Sequence, residues 1–252
     1  MSSRIVQITD PHLLAPGETL MGLDVTGRLE DVLQLAEELD PDAYFFTGDF
    51  CAHEPVQEVY HRLRERLDRL PAPYYLTAGN HDDREMMRRA FDLPGRGQEG
   101  ICGRVAVHDQ SFLFLDSSPG FVDDQQLDWL TEALVEHPVS DIVIHHPPIA
   151  LGVKFMDAKY PLRKTERLLR LITEDGVRRR VFCGHYHSVR TVSHGNLDVY
   201  LCPPTSFFID PAADEFSMVE RAPGCQLLEW TYGGDFRYTA YATSTVREEL
   251  QK

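Results

Sequence analysis

"TAGNHDD", Thr77 to Asp83, sets an asparagine, a histidine and two aspartates directly after the apolar run Tyr74-Tyr75-Leu76. A short apolar run closed by a glycine reads as a buried strand, so these polar side chains stand at a strand's end. Four more strand ends carry the same kind of chemistry: "ITDPH" (Asp10, His12), "FTGDF" (Asp49), "VIHHPP" (His145, His146) and "FCGHYH" (His185, His187). Any one of them arises readily by chance. All five together, each after an apolar run, have a chance probability of roughly one in a million on average residue usage, so the set is read as one site.

Outward from that stretch, short apolar runs alternate with helical spacing. Strands are expected at residues 5–9, 43–47 and 74–77, with helices at 29–39, 56–70 and 85–91 between and after them. A hairpin (104–107 with 111–115), a helix (124–135), a strand (141–145), a helix (165–173) and a strand (180–183) follow. "SHGNL" (193–197) is a hairpin turn by its Gly-Asn pair, and residues 225–240 read as further strands. The expected architecture is α/β, two packed mixed sheets with helices outside, in a single domain over residues 1–252. The irregular stretches 11–26 and 147–163 follow strands, where open sheets place their ligand crevice, and are the expected walls of the site.

The residue types point to metal. Four imidazoles (His12, His145, His185, His187), two carboxylates (Asp10, Asp49) and the amide of Asn80 form a mixed N/O set that suits Mn, Fe, Zn or Co better than Mg or Ca. Seven ligands exceed what one ion takes beside a reactive water. Two ions sharing a carboxylate resolve the count, and Asp49, supplied without a companion, is the natural bridge. Residues two apart on a strand point the same way, so D-x-H and H-x-H are each expected to bite one centre. Two divalent ions bring +4 and the carboxylates −2, leaving room for one hydroxide and one phosphodiester charge. Such a pair lowers the pKa of a bridging water and clamps the attacking and leaving oxygens at phosphorus.

His81 follows a metal-facing residue and is free to meet the phosphoryl oxygens or the leaving group. Asp82 is expected to orient an imidazole, and His146 to face the far side of its strand. His53, His61, His108, His137 and His194 are expected to face solvent, and Phe155, Met156, Phe207 and Phe208 read as core ahead of a base-pocket wall. Gly48, Gly79 and Gly184 precede three of the motifs, where close backbone approach is cheapest for glycine. Pro11 is expected to hold Asp10 extended.

Composition bounds the rest. With 25 Lys and Arg against 40 Asp and Glu, the net charge of −15 argues against a general nucleic-acid or anionic-membrane surface. Five scattered cysteines without C-x-x-C spacing suggest reduced thiols. No segment approaches the roughly 20 apolar residues of a membrane span, and the expectation is a soluble cytoplasmic protein, with a homodimer left open.

The series D-x-H, G-D, G-N-H-D, H-H-P-P, G-H-x-H resembles the calcineurin-like metallophosphoesterase superfamily over residues 4–205. Three further stretches, "LMGLDVTGRLEDVL", "HHPPIALGVKFMD" and "CPPTSFFIDP" with "EFSMVERAPGCQLLEW", resemble the bacterial class III cyclic-nucleotide phosphodiesterases. The resemblance implies a four-layer αββα sandwich loaded with two ions, Fe or Mn. Asp10, His12, Asp49 and His187 would hold one, and Asp49, Asn80, His145 and His185 the other. It implies that Asp49, Asn80 and His81 serve catalysis and that His12, Asp49, Asn80, His81 and His187 meet the substrate. The implied reaction is hydrolysis of 3′,5′-cyclic AMP to the 5′-monophosphate. A glycerophosphodiesterase or broad phosphodiesterase is the alternative, and a non-catalytic metal-stabilised binding protein a remote one.

Overall fold

The structure is a computed structural model and describes residues 2–243. In chain order the strands and helices are β1 (Ser3–Ile8), α1 (Val25–Glu38), β2 (Ala43–Thr47), α2 (Gln57–Leu67), β3 (Tyr74–Thr77), α3 (Arg84–Phe91), β4 (Gly103–Val107), β5 (Gln110–Leu115), α4 (Asp124–Glu136), β6 (Asp141–Ile144), α5 (Lys154–Lys159) and α6 (Thr165–Thr173). They continue with β7 (Arg179–Cys183), β8 (Arg190–His194), β9 (Leu197–Leu201), β10 (Phe208–Ile209), β11 (Met218–Val219), β12 (Gly224–Trp230) and β13 (Phe236–Ala242).

Two large mixed sheets result, ordered β13-β12-β1-β2-β3 and β4-β5-β6-β7-β9-β8. In the first, β1, β2 and β3 run parallel, and β12 and β13 add antiparallel. In the second, β5, β6, β7 and β9 run parallel, and β4 and β8 close the edges antiparallel. Helix α5 and the ribbon β10–β11 lie in stretches that sequence periodicity left irregular, because six-residue and two-residue elements are too short to show a period.

Residue alternation explains the layering. On β2, Phe45 faces inward while Tyr44 and Phe46 face α1, α2 and α3; on β5, Phe112 and Phe114 face inward while Leu113 and Leu115 face α4 and its neighbours. Ile5, Phe45, Phe112, Phe114, Val143, Phe182, Leu228 and Trp230 thus form one core between the sheets, and each sheet has a second core beneath its own helices. Edge-on ring pairs such as Phe45 with Phe112 at 4.9 Å and Phe45 with Phe114 at 5.0 Å key the sheets together.

A polar chain crosses this core under the carboxyl ends of β1, β2 and β7. Gln226 Nε2 donates to Gln7 Oε1 (2.6 Å), and Gln7 Nε2 donates to Thr47 Oγ1 (2.9 Å) and to the Cys183 carbonyl (3.1 Å). All four residues are fully buried, where unmade hydrogen bonds cost most, so the chain fixes the register between the sheets directly beneath the motifs. Among the described residues no helix is long and apolar enough to cross a membrane.

Candidate metal centre

Asp10 and His12 follow β1, Asp49 follows β2, His145 follows β6, and His185 and His187 follow β7, all buried. The two sheets bring these ends together. Asp10, His12, Asp49 and His187 offer ligand atoms within 4.8 Å of one another, and His145, His146 and His185 form a second group by the same measure.

Asp49 stands between the groups. Its Oδ2 lies 3.5 Å from His12 Nε2 and 3.3 Å from His145 Nε2, and its Oδ1 accepts from the His81 backbone N–H at 2.8 Å. On the first side, the Nε2 atoms of His12 and His187 are 3.0 Å apart, and His187 Nε2 is 3.5 Å from Asp10 Oδ1.

Backbone carbonyls fix the imidazoles' orientation. A carbonyl can only accept, so His145 Nδ1 donates to Thr47 (2.6 Å), His187 Nδ1 to Phe207 (2.8 Å) and His185 Nε2 to Tyr160 (3.0 Å). Each ring therefore turns its other nitrogen to the centre, the arrangement that supports metal-binding histidines. His145 Nε2 is buried without a hydrogen-bond partner. Burial holds His12 well below, and His185 down to about 3 from, the ordinary imidazole value, keeping their lone pairs free. Burial would lift the Asp49 carboxyl, but His145 and His12 hold it well below the usual range. Burial would lower His145, but the Asp49 carboxylate beside it raises it to about 9, so an ion bound there displaces a proton; with His12 and His185 neutral and the shared carboxylate ionised, the donor set suits divalent ions.

The backbone reaches this geometry differently from a strand. Asp10, His12, Asp49, His185 and His187 all have positive φ, between 45° and 71°. D-x-H and H-x-H therefore converge through left-handed turns beyond the strand ends, and strand alternation is not their cause. Pro11 does not hold Asp10 extended; its φ is 53°. Left-handed Asp and His are the better-tolerated cases, yet each costs of order 1–3 kcal/mol and persists where the surroundings enforce it. Gly48, at φ 89°, takes the same turn, and a Cβ there would come within 2.8 Å of His145 Nδ1.

Asn80 is exposed at the rim, between Gly79 and His81, which both touch Asp49. The His81 ring is half-buried and stands edge-on to His12 at 5.0 Å. Asp82 orients no imidazole: its Oδ1 accepts from the Phe50 N–H (3.0 Å), the Cys51 N–H (3.4 Å) and the Tyr60 hydroxyl (3.1 Å), and its Oδ2 from the Gly79 N–H (2.9 Å). It thus ties the loop after Asp49 to the loop carrying Asn80. His146 does not face away. It is buried with its ring 4.0 Å from His185, and its Nδ1 lies 2.9 Å from Ser117 Oγ. It lies beyond the end of β6, so alternation did not apply to it. His53, His61, His108 and His194 are exposed, and His137 is half-buried. Phe155, Met156 and Phe208 are buried core, whereas Phe207 is half-buried and stacks on His187 at 4.1 Å.

The calcineurin-like phosphoesterase family model matches residues 3–189. A probable cyclic nucleotide phosphodiesterase of Fibrobacter succinogenes is 30% identical over 230 residues, covering 90% of this chain and 89% of the relative. The 3′,5′-cyclic adenosine monophosphate phosphodiesterase CpdA of Pseudomonas aeruginosa is 31% identical over 234 residues, covering 89% and 84%. In fold, the chain is similar to a dimetal phosphatase from Danio rerio, with a TM-score of 0.60 at 13% identity over 96% of this chain and 99% of the other.

Proposed function

The chain belongs to the calcineurin-like phosphoesterase family, and on that premise we propose that it is a phosphodiesterase with two divalent ions that hydrolyses 3′,5′-cyclic AMP to 5′-AMP. One domain would carry the whole site. The observation that supports this most is the placing of Asp49 Oδ2 between His12 Nε2 (3.5 Å) and His145 Nε2 (3.3 Å), each belonging to a separate group of donors.

Asp10, His12, Asp49 and His187 would hold one ion, and Asp49, Asn80, His145 and His185 the other. Fe or Mn, with Zn and Co as further candidates, fits a nitrogen-rich set better than Mg or Ca. Bound there, the ions supply an activated water and charge neutralisation at phosphorus. The chain's own contribution is placement. Thr47, Phe207 and Tyr160 carbonyls hold His145, His187 and His185 with one nitrogen inward. The His81 N–H steadies Asp49 Oδ1, and the half-buried His81 ring stands at the mouth beside His12. From there it can donate a proton to the departing ribose oxygen, a poor leaving group that gains from such help. Asn80, with His12, His187 and Asp49, would complete the contacts to the phosphodiester.

Initial rates on cyclic AMP, cyclic GMP, 2′,3′-cyclic AMP and glycerophosphoethanolamine, measured with Mn-loaded protein, test the proposal. Cyclic AMP should lead. A lead by glycerophosphoethanolamine makes the chain a glycerophosphodiesterase, and inactivity on all four leaves a metal-stabilised binding protein.

A further inference from the structure

Four aromatic side chains make a continuous chain beside the metal centre. Phe207 stacks on His187 with centroids 4.1 Å apart; Phe216 stands 6.1 Å from Phe207 and 6.0 Å from Phe155; Tyr160 stands 5.6 Å from Phe155. The chain is tied to the centre at both ends. The Phe207 carbonyl accepts from His187 Nδ1, and the Tyr160 carbonyl accepts from His185 Nε2. The same residues that fix two inward-facing imidazoles therefore also set where the aromatic side chains lie.

The members differ in exposure. Phe155 is only 9% exposed and belongs to the core, whereas Tyr160 is 52% and Phe216 48% exposed. Large half-exposed rings next to a polar centre are not explained by core packing, and their support is built. Phe216 precedes β11, which pairs with β10 through Ile209 and Met218, and the Asp210 N–H donates to the Ser217 carbonyl at 2.8 Å. The start of α5, which carries Phe155, is fastened to the same ribbon by the Lys154 N–H donating to the Pro211 carbonyl at 3.1 Å. Phe216 and Tyr160 thus both pack against Phe155, in a chain whose Phe207 and Tyr160 carbonyls anchor His187 and His185.

A cyclic nucleotide has two parts that need separate handling. Its phosphodiester belongs at the donors described above. Its flat aromatic base gains most from a ring face, and base stacking on an aromatic side chain is tolerant of base identity because every base has a π-face. We infer that Phe216 and Tyr160, carried by Phe207 and Phe155, form the stacking wall that takes the base of a nucleoside phosphodiester. The inference rests on the phosphodiesterase reading and adds to it the residues that select for a base. A wall of ring faces reads the plane of the base and not its edges, so adenine and guanine gain from it alike.

The test uses the whole Mn-loaded chain and two substrates with the same scissile bond: cyclic AMP, and methyl ribofuranoside 3′,5′-cyclic phosphate, which lacks a base. Wild type should favour cyclic AMP in kcat/KM. In Phe216→Ala and in Tyr160→Ala that preference should fall by roughly tenfold, on the scale of a lost base–aromatic stack. The loss should appear in KM and not in kcat, with cyclic GMP affected like cyclic AMP and metal content unchanged. Phe216→Trp, which keeps a ring face, should retain the preference. An unchanged preference in both alanine variants overturns the inference alone. Loss of bound metal or a fall in kcat overturns it in favour of a structural role in holding His185 and His187. Absence of cyclic AMP turnover by the wild type takes down the functional reading and the wall with it.

Discussion

Replacing Gly79 with alanine adds one carbon at the point where the chain has least room for it. An ideal Cβ at Gly79 would stand 2.3 Å from Asp49 N and 2.3 Å from Asp49 Oδ1, against ordinary contact from 3.4 Å. Its φ is not in the left-handed region, so the alanine backbone is unstrained and crowding is the whole perturbation. Relief requires a shift of about 1 Å in Asp49 or in the loop bearing Asn80 and His81, since the clash includes backbone and cannot be met by a side-chain rotation. Overpacking of this kind costs about 1–3 kcal/mol, which in a chain of this size lowers Tm by roughly 2–4 °C for each kcal/mol. The effect on turnover should be larger, because a 1 Å misplacement of a catalytic group can cost about 100-fold. The assay is kcat/KM on cyclic AMP with bound Mn counted by elemental analysis. Gly103→Ala serves as control, since a Cβ there meets nothing within 4 Å. Wild-type rate and metal content in Gly79→Ala would refute the claim that Asp49 is held in place by this contact.

Dialysis against a strong chelator should abolish activity, with Mn or Fe restoring it better than Mg or Ca, as the four-imidazole donor set requires; full activity after chelation contradicts metal dependence. His81→Ala should cut kcat on cyclic AMP by about 10²–10⁴-fold and far less on bis(p-nitrophenyl) phosphate, whose leaving group departs unaided, whereas equal losses would assign His81 to charge stabilisation. Asp49→Ala should lose metal from both sites and Asn80→Ala chiefly from one; one tightly held metal per chain in Asp49→Ala would show it is not the bridge. Burial lifts the Asp141 carboxyl from 3.8 to about 6 against the pull of Arg180. The folded chain thus keeps a proton there that the unfolded chain has released, and this contribution to stability falls as pH rises through that window. Urea titrations should show Asp141→Asn gaining on wild type between pH 4.5 and pH 7, by about 2 kcal/mol, and no relative gain would contradict the shift.

Much of the fold was legible because burial on two faces leaves a plain signature. Apolar runs such as Ala43–Thr47 and Tyr74–Thr77 coincide with β2 and β3, and helix α6 spans Thr165–Thr173 as its spacing predicts. The candidate site stood out as residue types at strand ends, and six of the seven expected ligands lie in the two buried groups of donors. Asn80 lies at the exposed rim.

The local geometry was not legible. Left-handed φ at Asp10, His12, Asp49, His185 and His187 is imposed by tertiary contacts, such as the Asp10 N–H donating to the Gly48 carbonyl and the His12 N–H to that of Asp49, which no single segment encodes. Asp82 gathers donors from two loops and from Tyr60 on α2, and His146 meets Ser117 beyond β5. These partners are distant in sequence, so pattern reading could not assign them. Phe216 and Tyr160 sit in stretches without periodicity, and only their exposure beside the histidine anchors separates them from core aromatics.

The central claim, that Asp49 is shared between two ions, is tested most directly by an anomalous difference map from crystals of the Mn-loaded protein. Two peaks about 3.5–4 Å apart are expected, flanking the Asp49 carboxylate, one among Asp10, His12 and His187 and the other beside His145 and His185. A single peak, or a second peak away from Asp49, would contradict it.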